Sequence, residues 1–325
     1  MNVINEQKAK LVDLIDELSL STKEFKMNLE NNKEVLKTIS GKEALLKLID
    51  KQVNNKNENR LHSGFSIFDY YANGLINGNL YVIAGKSGTG KTTFIINMIN
   101  NIIQTLKDNE TILFISLETS AHQIIKKFFN IFLNSINFNN FESLSTNELG
   151  EVLKDNTRLF NQFNKLTIID DFNFKCSEIQ DIIKDIEQKQ NKKVKGVFID
   201  HIQIMKHSYQ SLGKREEINR IMSDLKGYAK ELDLPIVALS QLTRETKTDI
   251  IEKDKFDIRK PKLSQLKESS AIEECADVIA LLYLANALNP FYDILHISLD
   301  KNREGQRETQ KLEFYKSSSV IKPLI

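Results

Sequence analysis

Short runs of apolar, β-branched residues alternate with amphipathic stretches over the middle of the chain. Each run is apolar on both faces, which is typical of buried strands in a parallel sheet. The predicted strands are Leu80–Ala84, Thr111–Ser116, Leu166–Asp170, Gly196–Asp200 and Pro235–Ser240. The predicted helices between them are Thr92–Leu106, Ala121–Ser135, Ser177–Gln190 and Glu216–Leu232. This alternation predicts the α/β class with a mostly parallel sheet.

The C-terminal part of the chain has a different pattern. After residue 276 the apolar runs follow one another closely, at Val278–Leu284, Ile294–Asp300 and Gln310–Tyr315. Spacings this short leave no room for crossover helices, so they predict strands joined by hairpins. We therefore expect an antiparallel extension at one edge of the parallel sheet.

The first sixty residues form helical patterns without a core of their own. One apolar stripe comprises Leu11, Leu14, Ile15 and Leu18, and a second includes Leu45, Leu48 and Ile49. The polar stretch Gln52–Arg60 follows and is typical of a solvated linker. We predict a helical N-terminal segment over residues 1–60 and a main domain over residues 61–325. An amphipathic helix cannot bury its stripe alone, so this segment docks either on the main domain or on another subunit.

The amino-acid composition limits the classes of protein to which this chain can belong. The 325 residues carry a net charge of +1 and are 41% apolar and 27% charged, as expected for a globular chain. The beginning of the chain is charged throughout, and no apolar run is long enough to span a bilayer. The chain has two cysteines, Cys176 and Cys275, and they favour a reducing compartment and argue against a zinc site. We expect a cytoplasmic protein without a membrane partner, which contacts any nucleic acid through local loops.

Six of the 12 glycines lie between Gly64 and Gly90, and they include a phosphate-binding motif. Residues Gly85–Thr92 match the pattern Gly-x-x-x-x-Gly-Lys-Ser/Thr between a predicted strand and a predicted helix. In this motif backbone N–H groups hold the phosphates, Lys91 reaches the β- and γ-phosphates, and Thr92 gives a hydroxyl to Mg²⁺. We therefore expect ATP and Mg²⁺ as ligands. The predicted nucleotide-binding residues are Gly85, Lys86, Ser87, Gly88, Thr89, Gly90, Lys91, Thr92 and Thr93.

Two carboxylates complete the predicted catalytic set. Asp200 ends an apolar strand and would hold Mg²⁺ together with Thr92. The next residue is His201 rather than a glutamate, so this strand does not itself supply a catalytic base. Glu118 follows the strand that comes after the phosphate loop, at the edge where such sheets bind ligands, and we expect it to orient the attacking water.

Several blocks of the sequence resemble the RecA-like motor domain of DnaB-type replicative helicases. The similarity is collinear from about Leu61 to the end, and the usual N-terminal domain of the family is not matched. It rests on the phosphate loop and on six further blocks. These are His62–Asp69, Ser116–Ala121, Ile199–Gln203, Leu225–Arg244, Leu263–Asp277 and, at a late hairpin, Lys301-Asn302-Arg303.

The resemblance implies roles that the residues alone leave open. Gln241 would sense the γ-phosphate, while Lys301 and Arg303 would reach the nucleotide of the neighbouring subunit in a homohexameric ring. From the sequence spacing alone, the Lys301–Arg307 turn is better explained as a solvated basic surface.

Two basic loops are candidates for single-stranded DNA contact, His207–Arg215 and Arg259–Ser270. Their named candidates are Arg215, Lys267, Glu268 and Ser270. Lys267 and Ser270 depart from the Arg and Gly that are common in the family.

We therefore predict an ATP-dependent helicase motor that moves on single-stranded DNA during replication, with the 5′-to-3′ polarity of the resembled family. Primase or a helicase loader would be a further partner. Two alternatives remain at this stage: a RecA- or RadA-like recombination ATPase, and a truncated subunit that regulates a full-length helicase. The block Ser269–Asp277 argues against the first, and the intact catalytic residues argue against the second.

Overall fold

A computed structural model describes residues 40–42, 44–46, 60–136, 141–155, 157–208, 213–242, 260–266, 270–284 and 292–324. The chain divides into two compact units, residues 1–59 and residues 60–325, and the second unit carries the fold below. Within the described ranges, no helix is both long and apolar enough to cross a bilayer.

A large mixed sheet forms the centre of the second unit. Over the described ranges it contains nine strands in the order β11-β10-β9-β8-β3-β7-β6-β4-β5, and a separate antiparallel pair, β1 and β2, precedes them in the chain. The strands are β1 (Arg60–Leu61), β2 (Leu75–Ile76), β3 (Leu80–Gly85), β4 (Glu110–Ser116), β5 (Leu166–Asp170), β6 (Lys193–Asp200), β7 (Ile236–Gln241), β8 (Val278–Leu284), β9 (Tyr292–Asn302), β10 (Thr309–Tyr315) and β11 (Val320–Pro323).

The strand directions match the predicted class. Strands β8, β3, β7, β6, β4 and β5 run parallel to one another. Strands β9, β10 and β11 add to the β8 edge in antiparallel pairs. The mostly parallel α/β sheet with an antiparallel C-terminal extension is therefore confirmed.

Helices cover both faces of the sheet. They are α1 (Ser66–Asp69), α2 (Lys91–Ile103), α3 (Ala121–Ser135), α4 (Thr146–Asp155), α5 (Thr157–Phe163), α6 (Ile179–Lys189), α7 (Lys214–Leu232) and α8 (Ser270–Cys275). One core cluster joins α1, α2 and α3 to the sheet around Phe94, Phe114 and Phe128. The other joins α6, α7 and α8 to the opposite face around Ile199 and Leu225. Because both faces are buried, most of the parallel strands lack an alternation of polar and apolar residues.

Some elements differ from the sequence prediction. The predicted burial on both faces is wrong for β5, which lies at the sheet edge and has half-buried side chains up to Ile169. The helix expected from Ser177 begins at Ile179 instead, after a short 3₁₀ turn at Cys176–Glu178. The pattern did not predict β1, β2, β11, α1, α4, α5 or α8, most of which are too short to show a period.

The sheet brings the predicted site residues to one edge. Gly85 pairs with Gln241 across β3 and β7, and Ser116 pairs with Asp200 across β4 and β6. All four residues end their strands, and the carboxyl ends of parallel strands meet at the same edge. This is the edge where ligands bind in open α/β sheets.

Candidate active site

The turn between β3 and α2 forms the predicted phosphate loop. Gly88 and Gly90 both have left-handed backbone conformations, with φ of 80° and 87°. Glycine adopts these values without steric cost, so the loop turns tightly before the helix begins at Lys91. The Thr89 Oγ1 donates to the carbonyl of Lys86 at 2.8 Å, which closes the turn from inside. The N-terminal N–H groups of α2 are thereby presented at the loop.

Strand β10 packs against this loop from the side. A Cβ atom at Gly90 would lie 2.9 Å from the Phe314 ring, closer than such atoms normally approach. Gly90 is therefore required both for its φ and for the space that Phe314 occupies. Phe314 was not among the residues selected from the sequence, because it lies in a strand far from the motif.

Lys91 points back over the loop. Its Nζ donates to the Lys86 carbonyl at 3.0 Å, near the beginning of the loop. Burial lowers the pKa of Lys91, and the nearby carboxylates of Asp200 and Glu118 oppose that effect. A buried ammonium at the N-terminus of a helix is suited to bind an anion such as a phosphate chain.

Thr92 and Asp200 meet at the start of α2. The Thr92 Oγ1 donates to Asp200 Oδ2 at 2.6 Å, and Asp200 is almost fully buried. Burial raises the pKa of Asp200, because its charge has been removed from water. A divalent cation would supply the missing positive charge. The hydroxyl and carboxylate oxygens are hard donors of the kind that Mg²⁺ prefers, so this pair fits a magnesium site.

Glu118 lies beside this pair on the loop between β4 and α3. Its Oε2 is 3.0 Å from Nδ1 of His201, which also lies 3.8 Å from Asp200 Oδ1. The His201 ring is buried, and its Nδ1 is not well aligned for a hydrogen bond. Burial lowers the pKa of His201, which favours the neutral ring. Glu118 is more than half exposed, so its carboxylate is accessible to water at the open edge of the site.

The ends of β4 and β6 fix the place of Glu118. The Leu117 N–H donates to the Asp200 carbonyl at 2.7 Å, which ties the two strand ends together. Asp170 at the end of β5 accepts from the Ala121 N–H at 2.8 Å, at the start of α3. The backbone on either side of Glu118 is therefore anchored to two neighbouring strands.

A second lysine approaches the phosphate loop from α3. The Lys127 Nζ is 3.2 Å from Thr93 Oγ1, one residue beyond Thr92. Burial lowers the pKa of Lys127, and the charge of Asp200 opposes this effect. Within the described ranges, no carboxylate lies within ion-pair distance of Lys127. The sequence pattern of α3 did not predict that Lys127 lies near the phosphate loop.

Gln241 ends β7 next to the phosphate loop. The N–H of the following Leu242 donates to the Gly85 carbonyl at 3.2 Å. The Gln241 N–H in turn donates to Oε1 of Gln203 at 3.2 Å. The residue predicted to sense the γ-phosphate is thus held beside the motif that would bind it.

Lys301 and Arg303 lie at the opposite edge of the sheet. The Arg303 N–H donates to the Asp277 carbonyl at 3.0 Å, and the Asp277 N–H donates to the Leu80 carbonyl at 2.8 Å. Leu80 begins β3 and Gly85 ends it, so the length of β3, about 16 Å, separates Arg303 from the phosphate loop. The Lys301 Nζ donates to the Glu273 carbonyl of α8. Burial and the Arg303 charge lower the pKa of Lys301.

The structure describes two of the four residues that were predicted to contact DNA. Arg215 lies in the first turn of α7 and Ser270 begins α8, and both residues are exposed. Helices α7 and α8 pack against each other on the same face of the sheet. Lys267 and Glu268 lie outside the described residues.

Comparison with known proteins identifies the family. The family model for the DnaB-like helicase C-terminal domain matches residues 60–322. The chain belongs to this family.

Two curated relatives of this DnaB-like domain illustrate the range of the similarity. A probable replicative DNA helicase of Trieres chinensis is 31% identical over 265 residues, which cover 78% of this chain and 55% of the relative. The replicative DNA helicase DnaB of Rickettsia felis is 30% identical over 335 residues, covering 93% of this chain and 63% of the relative. The chain thus spans just over half the length of these relatives.

Solved structures show the same fold for this DnaB-like domain. One of them, an isolated ATPase domain, has a TM-score of 0.71 at 24% identity and covers 89% of this chain and all of that domain. A DnaB-like replicative helicase, described with its interactions with primase, also has a TM-score of 0.71. It is 23% identical and covers 99% of this chain and 76% of that helicase. The predicted family and the RecA-like fold are confirmed.

The geometry of the DnaB-like domain divides the predicted residues into two groups. The carboxyl edge of the parallel strands brings together the phosphate loop, Thr93, Glu118, Asp200 and Gln241. Lys301 and Arg303 are at the amino edge. The sequence pattern did not indicate three residues near these two edges, Lys127, Phe314 and Asp277. His201 directly follows Asp200, but the sequence predicted no catalytic role for it.

Proposed function

We propose that this chain is an ATP-dependent DNA helicase motor that assembles as a homohexameric ring and moves on single-stranded DNA in replication. One observation carries the proposal: the phosphate loop and the Lys301–Arg303 pair are at opposite edges of one sheet. A single copy therefore offers a nucleotide two incomplete halves of a site. Copies arranged head to tail bring the amino edge of one subunit to the carboxyl edge of the next, and closure of that arrangement gives a ring.

The residues at the carboxyl edge would bind the nucleotide. The N–H groups of Gly85–Thr92 and the Lys91 ammonium would hold the phosphates, and Thr93 would lie beside them. Thr92 and Asp200 would hold Mg²⁺, which neutralises charge on the β- and γ-phosphates when it is bound. Gln241 would contact the γ-phosphate from the end of β7.

Glu118 is proposed as the base that orients the attacking water. Its carboxylate is the exposed member of the cluster with Asp200 and His201, so water has access to it. The buried His201 ring lies 3.0 Å from this carboxylate and would restrict the positions that it can take. Arg303 and Lys301 of the neighbouring subunit would stabilise the charge of the transferred phosphoryl group.

Single-stranded DNA is the proposed substrate track, and the proposed contacts are Arg215, Lys267, Glu268 and Ser270. Arg215 lies in the first turn of α7, Ser270 begins α8, and both residues are exposed. Residues 1–60 are proposed as a helical segment and linker, and residues 61–325 as the motor domain. Primase or a helicase loader is proposed as a further partner, supported by the primase interactions described for a DnaB-like relative. The free thiols of Cys176 and Cys275 suit the reducing cytoplasm.

Mixing of inactive subunits tests the proposed shared site. K91A removes the phosphate-binding charge, and R303A removes the charge offered to the neighbour. Each variant alone should hydrolyse ATP poorly, whereas mixed rings should recover turnover, because some interfaces join an intact Lys91 to an intact Arg303. An arginine supplied in trans contributes about 10³–10⁵ in rate, so even a small recovered fraction is measurable. A mixture that stays inactive while both variants assemble would contradict a shared site.

Native mass and strand separation test the motor itself. With magnesium ATP, the wild-type chain should form closed rings and unwind a forked duplex that carries a 5′ single-stranded tail. Long polymers would instead support a recombination ATPase. A monomer that binds a full-length helicase without unwinding would support a regulatory subunit.

A further inference from the structure

Asp277 is a buried carboxylate at the amino edge of the sheet, immediately before β8. Its side chain is 8% exposed, whereas the Arg303 side chain beside it is 53% exposed. Oδ2 of Asp277 accepts from the Leu80 N–H at 2.8 Å and from Lys226 Nζ at 2.6 Å. A buried carboxylate with this many donors is held in one orientation.

The remaining oxygen of Asp277 faces Arg303. The Arg303 Nη1 lies 3.4 Å from Asp277 Oδ1, and Nη2 donates to the Glu274 carbonyl at 3.2 Å. The backbone joins the same residues, since the Arg303 N–H donates to the Asp277 carbonyl. The guanidinium is therefore held at both Nη atoms, although its side chain is more than half exposed.

The Asp277 carboxylate is held by a residue that is distant in the sequence. Lys226 belongs to α7 and also donates to the Gly78 carbonyl at 2.9 Å, just before β3. Asp277 thus connects Arg303 to α7 and to the start of β3, the strand that leads into the phosphate loop. An exposed arginine without such a connection would sample many rotamers and lose entropy when it binds.

We propose that Asp277 is a positioning residue that aims Arg303 at the nucleotide of the neighbouring subunit. This inference rests on the proposed trans role of Arg303. Asp277 itself need not touch the nucleotide. It holds the guanidinium in place before the subunits meet, so that binding of the transferred phosphoryl group does not have to order it.

The D277N variant tests this role. Asparagine keeps an acceptor for the Leu80 N–H but removes the charge that holds Lys226 and Arg303. Nucleotide binding should be unchanged, because the phosphate loop is at the far edge, while turnover per ring should fall about 10- to 100-fold. The matched control is E110Q, since Glu110 is a partly buried carboxylate that pairs with Lys195 at the amino ends of β4 and β6. E110Q should retain turnover.

Mixing experiments separate positioning from a general loss of stability. D277N subunits mixed with K91A subunits should recover turnover, because K91A subunits present a correctly held Arg303 to an intact phosphate loop. D277N mixed with R303A should show no recovery above the reduced turnover of D277N, because neither subunit offers a correctly held arginine. Recovery in the second mixture, or full turnover of D277N alone, would overturn the proposal.

The D277E variant and the mixture of R303A with K91A cover the cases in which D277N alone gives no answer. If D277N does not fold, D277E retains the charge that Lys226 needs and shifts the carboxylate by about 1.5 Å. D277E should then show the same pattern of recovery, and full turnover in D277E would overturn the proposal. If the mixture of R303A and K91A recovers no turnover, the proposed shared site is contradicted. If they do while D277N is fully active, only the role of Asp277 fails.

Discussion

At the scale of single residues, the site depends on charges removed from water. Asp200 is buried and accepts a hydrogen bond from the Thr92 hydroxyl, and Lys91 is buried and donates to the Lys86 carbonyl. Each would gain a compensating charge when a metal–nucleotide complex binds. Glu118 differs, because it is exposed and its nearest described partner is a buried imidazole. This difference supports the proposed division between residues that bind the nucleotide and a residue that acts on water.

E118Q is expected to separate binding from hydrolysis. Glutamine preserves the size of the side chain and removes the basic carboxylate, so ATP affinity should remain while hydrolysis falls by about 10²–10⁴. Nucleotide titration and single-turnover hydrolysis measure the two effects. E142Q is a suitable control, because Glu142 is an exposed carboxylate paired with Lys126 away from the site. Equal loss of binding and hydrolysis in E118Q would make Glu118 a structural residue.

At the scale of elements, most strands were predictable and several helices were not. The buried strands carry continuous apolar runs, and their predicted bounds differ from the structure by three residues at most. Helices α4 and α5 were missed because their sequence is rich in polar residues and their apolar positions serve a small separate cluster. That cluster contains Val152, Leu159 and Leu133. Two-residue strands such as β1 show no period at all.

The packing of β10 on the phosphate loop predicts the effect of G90A. Alanine at Gly90 would need a left-handed φ and would overlap the Phe314 ring, so both stability and nucleotide affinity should fall. G78A is the matched control, because Gly78 has a φ of 84° but nothing within 4 Å of the position that an alanine methyl would take. G78A should cost about 1 kcal/mol through its backbone alone. Thermal unfolding and nucleotide titration distinguish them, and equal effects would show that the Phe314 contact is unimportant.

The contact between α3 and α2 predicts opposite effects on stability and binding in K127M. Methionine removes a half-buried charge without an ionic partner among the described residues, so the nucleotide-free protein should be as stable or more stable. Loss of a positive charge near the phosphates should weaken ATP binding by about 1–2 kcal/mol.

K126M is the neighbouring control for K127M. Lys126 is exposed and pairs with Glu142, so its removal should leave ATP affinity unchanged. Isothermal titration of both variants with magnesium ATP makes the comparison. Unchanged affinity in K127M would mean that Lys127 serves only the packing of α3.

At the scale of the whole molecule, the two edges of the sheet carry different chemistry. The carboxyl edge has the groups suited to phosphates, and the amino edge has an arginine held by Asp277. Because one sheet fixes both edges, their separation is set by the length of β3 and cannot close within a subunit. The proposed head-to-tail assembly would bring these two edges of neighbouring subunits together.

Deletion of residues 1–52 is expected to weaken assembly. Leu45, in the second apolar stripe, is 56% exposed, while Leu48 and Ile49 lie outside the described residues. An apolar stripe gains about 25 cal/mol per Å² when it is buried, and a neighbouring subunit would provide the surface. Native mass at decreasing protein concentration should show earlier dissociation of the truncated chain. Rings of unchanged stability would contradict docking of this segment on a neighbour.

The sequence by itself determined the class of fold, and it predicted the phosphate loop and the carboxylates Glu118 and Asp200 as site residues. These features depend on short spacings and on strand ends, which local periodicity reveals. Only the tertiary structure decided that His201 faces Glu118, that Phe314 fills the space beside Gly90 and that Asp277 holds Arg303. These contacts join residues from different strands and helices. They depend on strand order and register, which no local pattern of apolar and polar residues encodes.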